Sequence, residues 1–183
     1  MAAGYIDRVN EPSDDCVVVI VGMPGSGKTT VGEILALRDA RPFVDLDEAI
    51  ESSAGCTIAE LFDRVGEAGF RELESVVLAD AITKHPGAVL AGGGGIVVSP
   101  DNRRLLQQQR VRTVWLRARP ATLGQRVGNG HGRPLLEDDP IAAIARLQTE
   151  RDPLYREVAD LVVEVDDRDV GSVVDAVAEG LAG

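Results

Sequence analysis

Residues 22–30, GMPGSGKTT, have the types and spacing to hold a phosphate. They fit the pattern G-x-x-x-x-G-K-[ST] between an apolar run, CVVVIV, that suits a buried strand and a segment, VGEILAL, with helical apolar spacing. Gly22, Gly25 and Gly27 let backbone N–H groups curl around phosphate oxygens at a helix N-terminus, whose dipole favours anions. Lys28 would reach the outer phosphates and the Thr29 hydroxyl would ligate Mg²⁺, with Ser26 and Thr30 as further nucleotide contacts. The loop therefore predicts binding of a nucleoside triphosphate. It does not say who receives the phosphoryl group.

Three further stretches could serve a transfer reaction. In FVDLD, one of Asp45 and Asp47 could hold Mg²⁺ through water while the other accepts a hydroxyl proton. Helix capping by Asp47 before EAI is the plainer alternative. In GEAGFRELE, Arg71 and Glu74 stand three apart on one helical face, as a functional pair or as a solvated ion pair. GGGG, residues 92–95, follows an apolar run, so a ligand there could touch bare backbone, although a simple loop is also possible.

The elements that must position these residues alternate. Strands are predicted at 17–21, 42–46, 87–91, 111–117 and 160–165, and helices near 28–38, 58–64, 68–83, 101–109, 120–127, 140–157 and 170–181. Alternation of this kind means a parallel sheet covered by helices on both faces, with ligands at the carboxyl ends of its strands. Four of the five predicted strand ends run into GMPGSGKTT, DLD, GGGG and VDDRDVG; the other is followed by a helix and then the charged, Gly-rich GNGHGRPLLEDD.

Composition narrows the classes. With 183 residues the chain is sized for one domain, 16–183, behind a polar tail, 1–15, that does not read as a secretory signal. No apolar run approaches the ~20 residues that span a bilayer. A net charge of −11 argues against nucleic acid or an anionic membrane as partner. Cys16 and Cys56 stand alone, which suits a reducing, cytoplasmic setting. The chain has 17 arginines and two lysines; arginine is the better clamp for carboxylate and phosphate, but genome composition gives the same bias, so each is judged by its context.

In order along the chain, GMPGSGKTT, FVDLDEAIE, IAELFDRVGEAGFRELE, VLAGGGGIVVSP, RPLL and RDPLYREVA resemble the shikimate kinases, a family within the nucleoside-monophosphate-kinase-like P-loop group. The resemblance implies a three-layer α/β P-loop fold, a five-stranded parallel sheet in order 2-3-1-4-5 with a mobile lid at about 128–139. It implies ATP and Mg²⁺ as cofactors, shikimate as the small-molecule partner and a monomer. Position by position, it makes Asp47 the ligand of the accepting hydroxyl and its base, and Asp45 the Mg²⁺-side acid. Arg71 and Arg151 would grip the substrate carboxylate, with Glu74 orienting Arg71. Gly93, Gly94 and Gly95 would meet substrate through backbone, and Phe62 and Phe70 would be pocket aromatics. Arg133 would close on the ATP phosphates, with Arg126 and Arg168 near the nucleotide and its adenine.

Some residues stand apart. Gly92 occupies a place where the family commonly has an apolar residue, and a side chain there is expected to be mild in effect. His131 reads as a solvated loop residue or a phosphate contact, His85 as structural, Met23 as loop filler and Trp115 as core. The rival readings are another small-molecule kinase of this fold, such as a gluconate or nucleotide kinase, and a non-catalytic ATP-binding regulator.

Overall fold

The computed structural model describes residues 15–127 and 140–183. Five strands, β1 (Val17–Val21), β2 (Phe43–Asp45), β3 (Val89–Ala91), β4 (Val111–Arg117) and β5 (Leu161–Glu164), pair in parallel in the order β2-β3-β1-β4-β5. The order matches the expected one. All five residues of β1 are buried, as a central parallel strand covered on both faces requires.

Helices α1 (Lys28–Arg38), α2 (Leu46–Ala54), α3 (Ile58–Lys84), α4 (Pro100–Leu106), α5 (Pro120–Val127), α6 (Pro140–Val158) and α7 (Val170–Ala182) supply the cover. Among them, Leu35, Leu78, Ile82, Leu106, Leu123, Ile144 and Val177 close the main core against the sheet. Trp115 belongs to that core, as expected, and its ring stacks on Tyr155 at 5.5 Å. A satellite core of Ile50, Leu61 and Phe70 joins α2 to α3.

Two expectations change. Helix α2 is absent from the predicted helices because the apolar pattern carries the second strand through Leu46; Asp45 instead ends β2 and caps α2 at once. The stretches predicted at 58–64 and 68–83 form one run, Ile58–Lys84, broken only at Gly66 (φ 67°, ψ 179°). That glycine turns the chain in a left-handed conformation that a side chain would strain. Thr57 and Glu60 form a reciprocal capping box at its start.

Candidate active site

The phosphate loop leaves β1 and enters α1 through Gly25 (φ 83°) and Gly27 (φ 91°), which caps the helix. No acidic residue stands in the first turn of α1, so its positive end is left for an anion. Lys28 Nζ donates to the Met23 carbonyl at 3.1 Å, which folds the side chain back over the loop. Ser26 Oγ is buried with no hydrogen-bond partner in the structure, a hydroxyl that a bound oxygen would satisfy.

Next to the loop, Thr29 Oγ1 donates to Asp45 Oδ2 at 2.8 Å. The other oxygen of Asp45 accepts from the Asp47 and Glu48 amides at 2.9 and 3.4 Å. Asp45, and not Asp47 as the alternative reading had it, therefore caps α2. Asp47, two residues along and exposed, directs its carboxylate to the glycine turn after β3: a Cβ at Gly93 would lie 2.9 Å from Asp47 Oδ1. No cluster of three His, Cys, Asp or Glu exists among the described residues. A magnesium ion at Thr29 and Asp45 would thus take most of its oxygens from phosphate and water, which is how Mg²⁺ sits in kinases.

Across from Asp47, Arg71 Nη1 pairs with Glu74 Oε2 at 2.9 Å, and Nη2 reaches Glu67 at 3.2 Å. Glu74 is only 1% exposed, so the solvated-pair alternative fails. Burial pushes the Glu74 carboxyl above its ordinary range, and the charge and hydrogen bond of Arg71 pull it only part of the way back. Glu74 Oε1 and Arg71 Nε remain buried and unpartnered. Glu74 Oε1 and the Nη end of the Arg71 guanidinium face bare backbone: a Cβ at Gly93 would lie 2.8 Å from Glu74 Oε1, and one at Gly95 would collide with Arg71 Nη1 and Nη2. At Gly92 a Cβ would come within 3.2 Å of Ile96 Cδ1 and 3.4 Å of the Ile20 carbonyl. A side chain there is tighter than the sequence suggested.

Phe62 and Phe70 meet at 4.6 Å between ring centroids. Phe70 is buried in the satellite core and lies under Arg71, 5.2 Å from its guanidinium carbon, so it supports that arginine from below. Phe62 is half-buried beside it.

From α6, Arg151 reaches the same turn, donating from Nη1 to the Gly94 carbonyl at 2.9 Å. The turn is tied to α4 as well, through Asn102 Nδ2 to the Ile96 carbonyl at 3.0 Å and Arg103 Nη1 to the Val97 carbonyl at 2.8 Å. On the far side of the phosphate loop a cavity of about 260 Å³ is lined by Gly25, Gly27 and Thr30, by Arg126 and Arg168, and by Val165, Val170 and Val173. Its apolar floor and cationic rim suit a nucleobase. Arg168 is held there by its Nη2 bond to the Ser172 carbonyl at 2.8 Å.

Tyr155 and the four valines of the cavity, Val31, Val165, Val170 and Val173, are not among the residues the sequence assigns to the site. Tyr155 had a visible signal, standing one turn after Arg151 in RDPLY, on the same helical face. Met23 is more than filler, since its carbonyl holds Lys28 and its sulfur lies 3.9 Å from the Tyr155 hydroxyl. The lid, with His131 and Arg133, and all of the tail but Asp15 lie outside the described residues.

Comparison with known proteins places the chain in a group. The family described as "Shikimate kinase" matches residues 24–182. A shikimate kinase of Burkholderia pseudomallei (strain 1710b) is 44% identical over 161 residues, 87% of this chain and 86% of that protein. The solved structure of a shikimate kinase from Acinetobacter baumannii in complex with shikimate superposes with TM-score 0.86 at 37% identity, covering 91% of this chain and 92% of the other. A gluconokinase from Sinorhizobium meliloti, at 17% identity and TM-score 0.51 over 92% of each chain, shares the fold alone.

Proposed function

The chain belongs to the shikimate kinase family and is an ATP-dependent kinase, and on that footing we propose that it transfers the γ-phosphoryl group of ATP to the 3-hydroxyl of shikimate. The product, shikimate 3-phosphate, leads toward chorismate and the aromatic amino acids. The observation that carries the reading is convergence: Asp47, Arg71 and Arg151, from three helices, surround the bare backbone of Gly93–Gly95. Shikimate carries a carboxylate and adjacent hydroxyls, so it needs cationic forks, a carboxylate and backbone groups, and this pocket holds all three.

In this reading Arg71 and Arg151 bind the carboxylate, and Glu74 aims Arg71. Asp47 accepts a hydrogen bond from the 3-hydroxyl and then its proton. Gly25, Ser26, Gly27, Lys28, Thr29 and Thr30 hold the triphosphate, and Arg126 and Arg168 border the base. Magnesium at Thr29 and Asp45 would supply positive charge against the phosphate oxygens. We take 16–183 as one catalytic unit with a lid at 128–139, from which Arg133 closes on the phosphates and excludes water. We take the enzyme to act as a monomer, as the family resemblance implies. Dependence on ATP and the two isolated cysteines favour the cytoplasm, and no helix among the described residues is long and apolar enough to cross a membrane.

The test is a coupled assay of ADP release with shikimate, a decarboxylated analogue and gluconate. Removing one fork from a buried carboxylate costs about 2–5 kcal/mol. Arg71→Ala and Arg151→Ala should each raise the KM for shikimate by about two orders of magnitude or more, and barely change the already poor rate with the decarboxylated analogue. Equal losses on all three acceptors would make the arginines structural and overturn the substrate assignment. Preference for gluconate would support the rival kinase, and no turnover with any acceptor the regulator.

A further inference from the structure

One carbonyl in the acceptor turn takes two donors. Gly94 O accepts from the Tyr155 hydroxyl at 2.5 Å and from Arg151 Nη1 at 2.9 Å. Tyr155 is fully buried, and its stack on Trp115 prevents the ring from turning away. Burial also pushes its pKa far above the ordinary tyrosine value, so the hydroxyl keeps its proton and acts as a donor. With that proton committed to Gly94, the oxygen rests 3.9 Å from Met23 Sδ in the phosphate loop. The turn is hemmed in from the same loop, since a Cβ at Gly94 would lie 2.8 Å from Pro24 Cδ.

A carbonyl oxygen offers two lone pairs over a broad range of angles. Alone with Gly94, the Arg151 guanidinium could centre on that oxygen in many orientations. With the hydroxyl in one direction, it is confined to the other. We propose that Tyr155 is a positioning residue: it anchors one arm of Arg151 on Gly94 and so turns the remaining N–H edge toward the carboxylate of the acceptor. The proposal rests on Arg151 being a carboxylate fork, as argued above.

Tyr155→Phe removes the hydroxyl and keeps the ring stack. It should raise the KM for shikimate about fivefold to tenfold, the effect of one net hydrogen bond. The KM for ATP and kcat should stay within about twofold, and thermal unfolding should show a folded protein. The deciding comparison is made in the Arg151→Ala background, where adding Tyr155→Phe should change the KM for shikimate by less than about twofold. A further fivefold rise there would show that Tyr155 does not act through Arg151, and the proposal would fail while the substrate assignment stood. Equal losses in kcat and in both KM values, or no change in a folded Tyr155→Phe enzyme, would overturn it as well. Should Arg151→Ala itself leave the KM for shikimate unaltered, the carboxylate reading and this proposal would fall together.

Discussion

Asp45 serves Thr29 and its own helix at the same time, one carboxylate oxygen accepting the Thr29 hydroxyl at 2.8 Å and the other the Asp47 amide at 2.9 Å. Stability and metal binding therefore meet in one side chain. Asp45→Ala should destabilise the fold by about 1 kcal/mol, the usual cost of a lost N-cap. It should also shift the Mg²⁺ concentration for half-maximal activity upward. Urea unfolding and a Mg²⁺ titration at fixed ATP measure the two effects, and a Mg²⁺ response like that of the wild type would leave Asp45 as a cap only.

Asp47 should behave in the opposite way. Its side chain is exposed and does not cap α2, so Asp47→Asn should alter stability by less than about 1 kcal/mol, the range of a charge near a helix end. Phosphoryl transfer should fall by about 10²-fold or more with ATP binding retained, because an amide cannot take the hydroxyl proton. Single-turnover kinetics beside nucleotide binding separate these terms. Normal turnover in this variant would remove Asp47 as the base.

Lys28→Ala tests the loop. The other lysine, Lys84, is exposed at the end of α3 and paired with Asp80 at 2.6 Å. We expect turnover to be lost at saturating ATP while the fold persists. Activity near that of the wild type would exclude the loop from the mechanism.

Glu74 makes a prediction about pH. Its folded-state pKa lies above the unfolded value, chiefly through burial, so the native state binds this proton more tightly than the unfolded chain does. The contribution is full below the unfolded value and is lost as pH rises through the folded one. Relative to Glu74→Gln, the wild type should gain stability on acidification across that interval. Urea midpoints of both proteins over mildly acidic to neutral pH give the difference. A difference independent of pH would mean that Glu74 ionises alike in both states.

Much of the site was legible in the sequence because its parts are local. The phosphate loop needs only a strand, closely spaced glycines and a helix start, and these lie within a few residues of one another. Arg71 and Glu74 are one helical turn apart, and sheet order followed from the family resemblance. The burial of Glu74 was not legible, since it depends on what α2 and the glycine turn place against α3. Nor was the division of labour between Asp45 and Asp47. It depended on β2 ending at Asp45, and a three-residue strand is too short to show its boundary in an apolar pattern. Tyr155 and Arg151 were both visible as residues of one helix, but their shared acceptor stands 61 and 57 positions away. Spacing along a chain determines which side chains leave one face of an element. Only the packing of α6 against the turn after β3 decides that a tyrosine hydroxyl and a guanidinium share a single carbonyl oxygen.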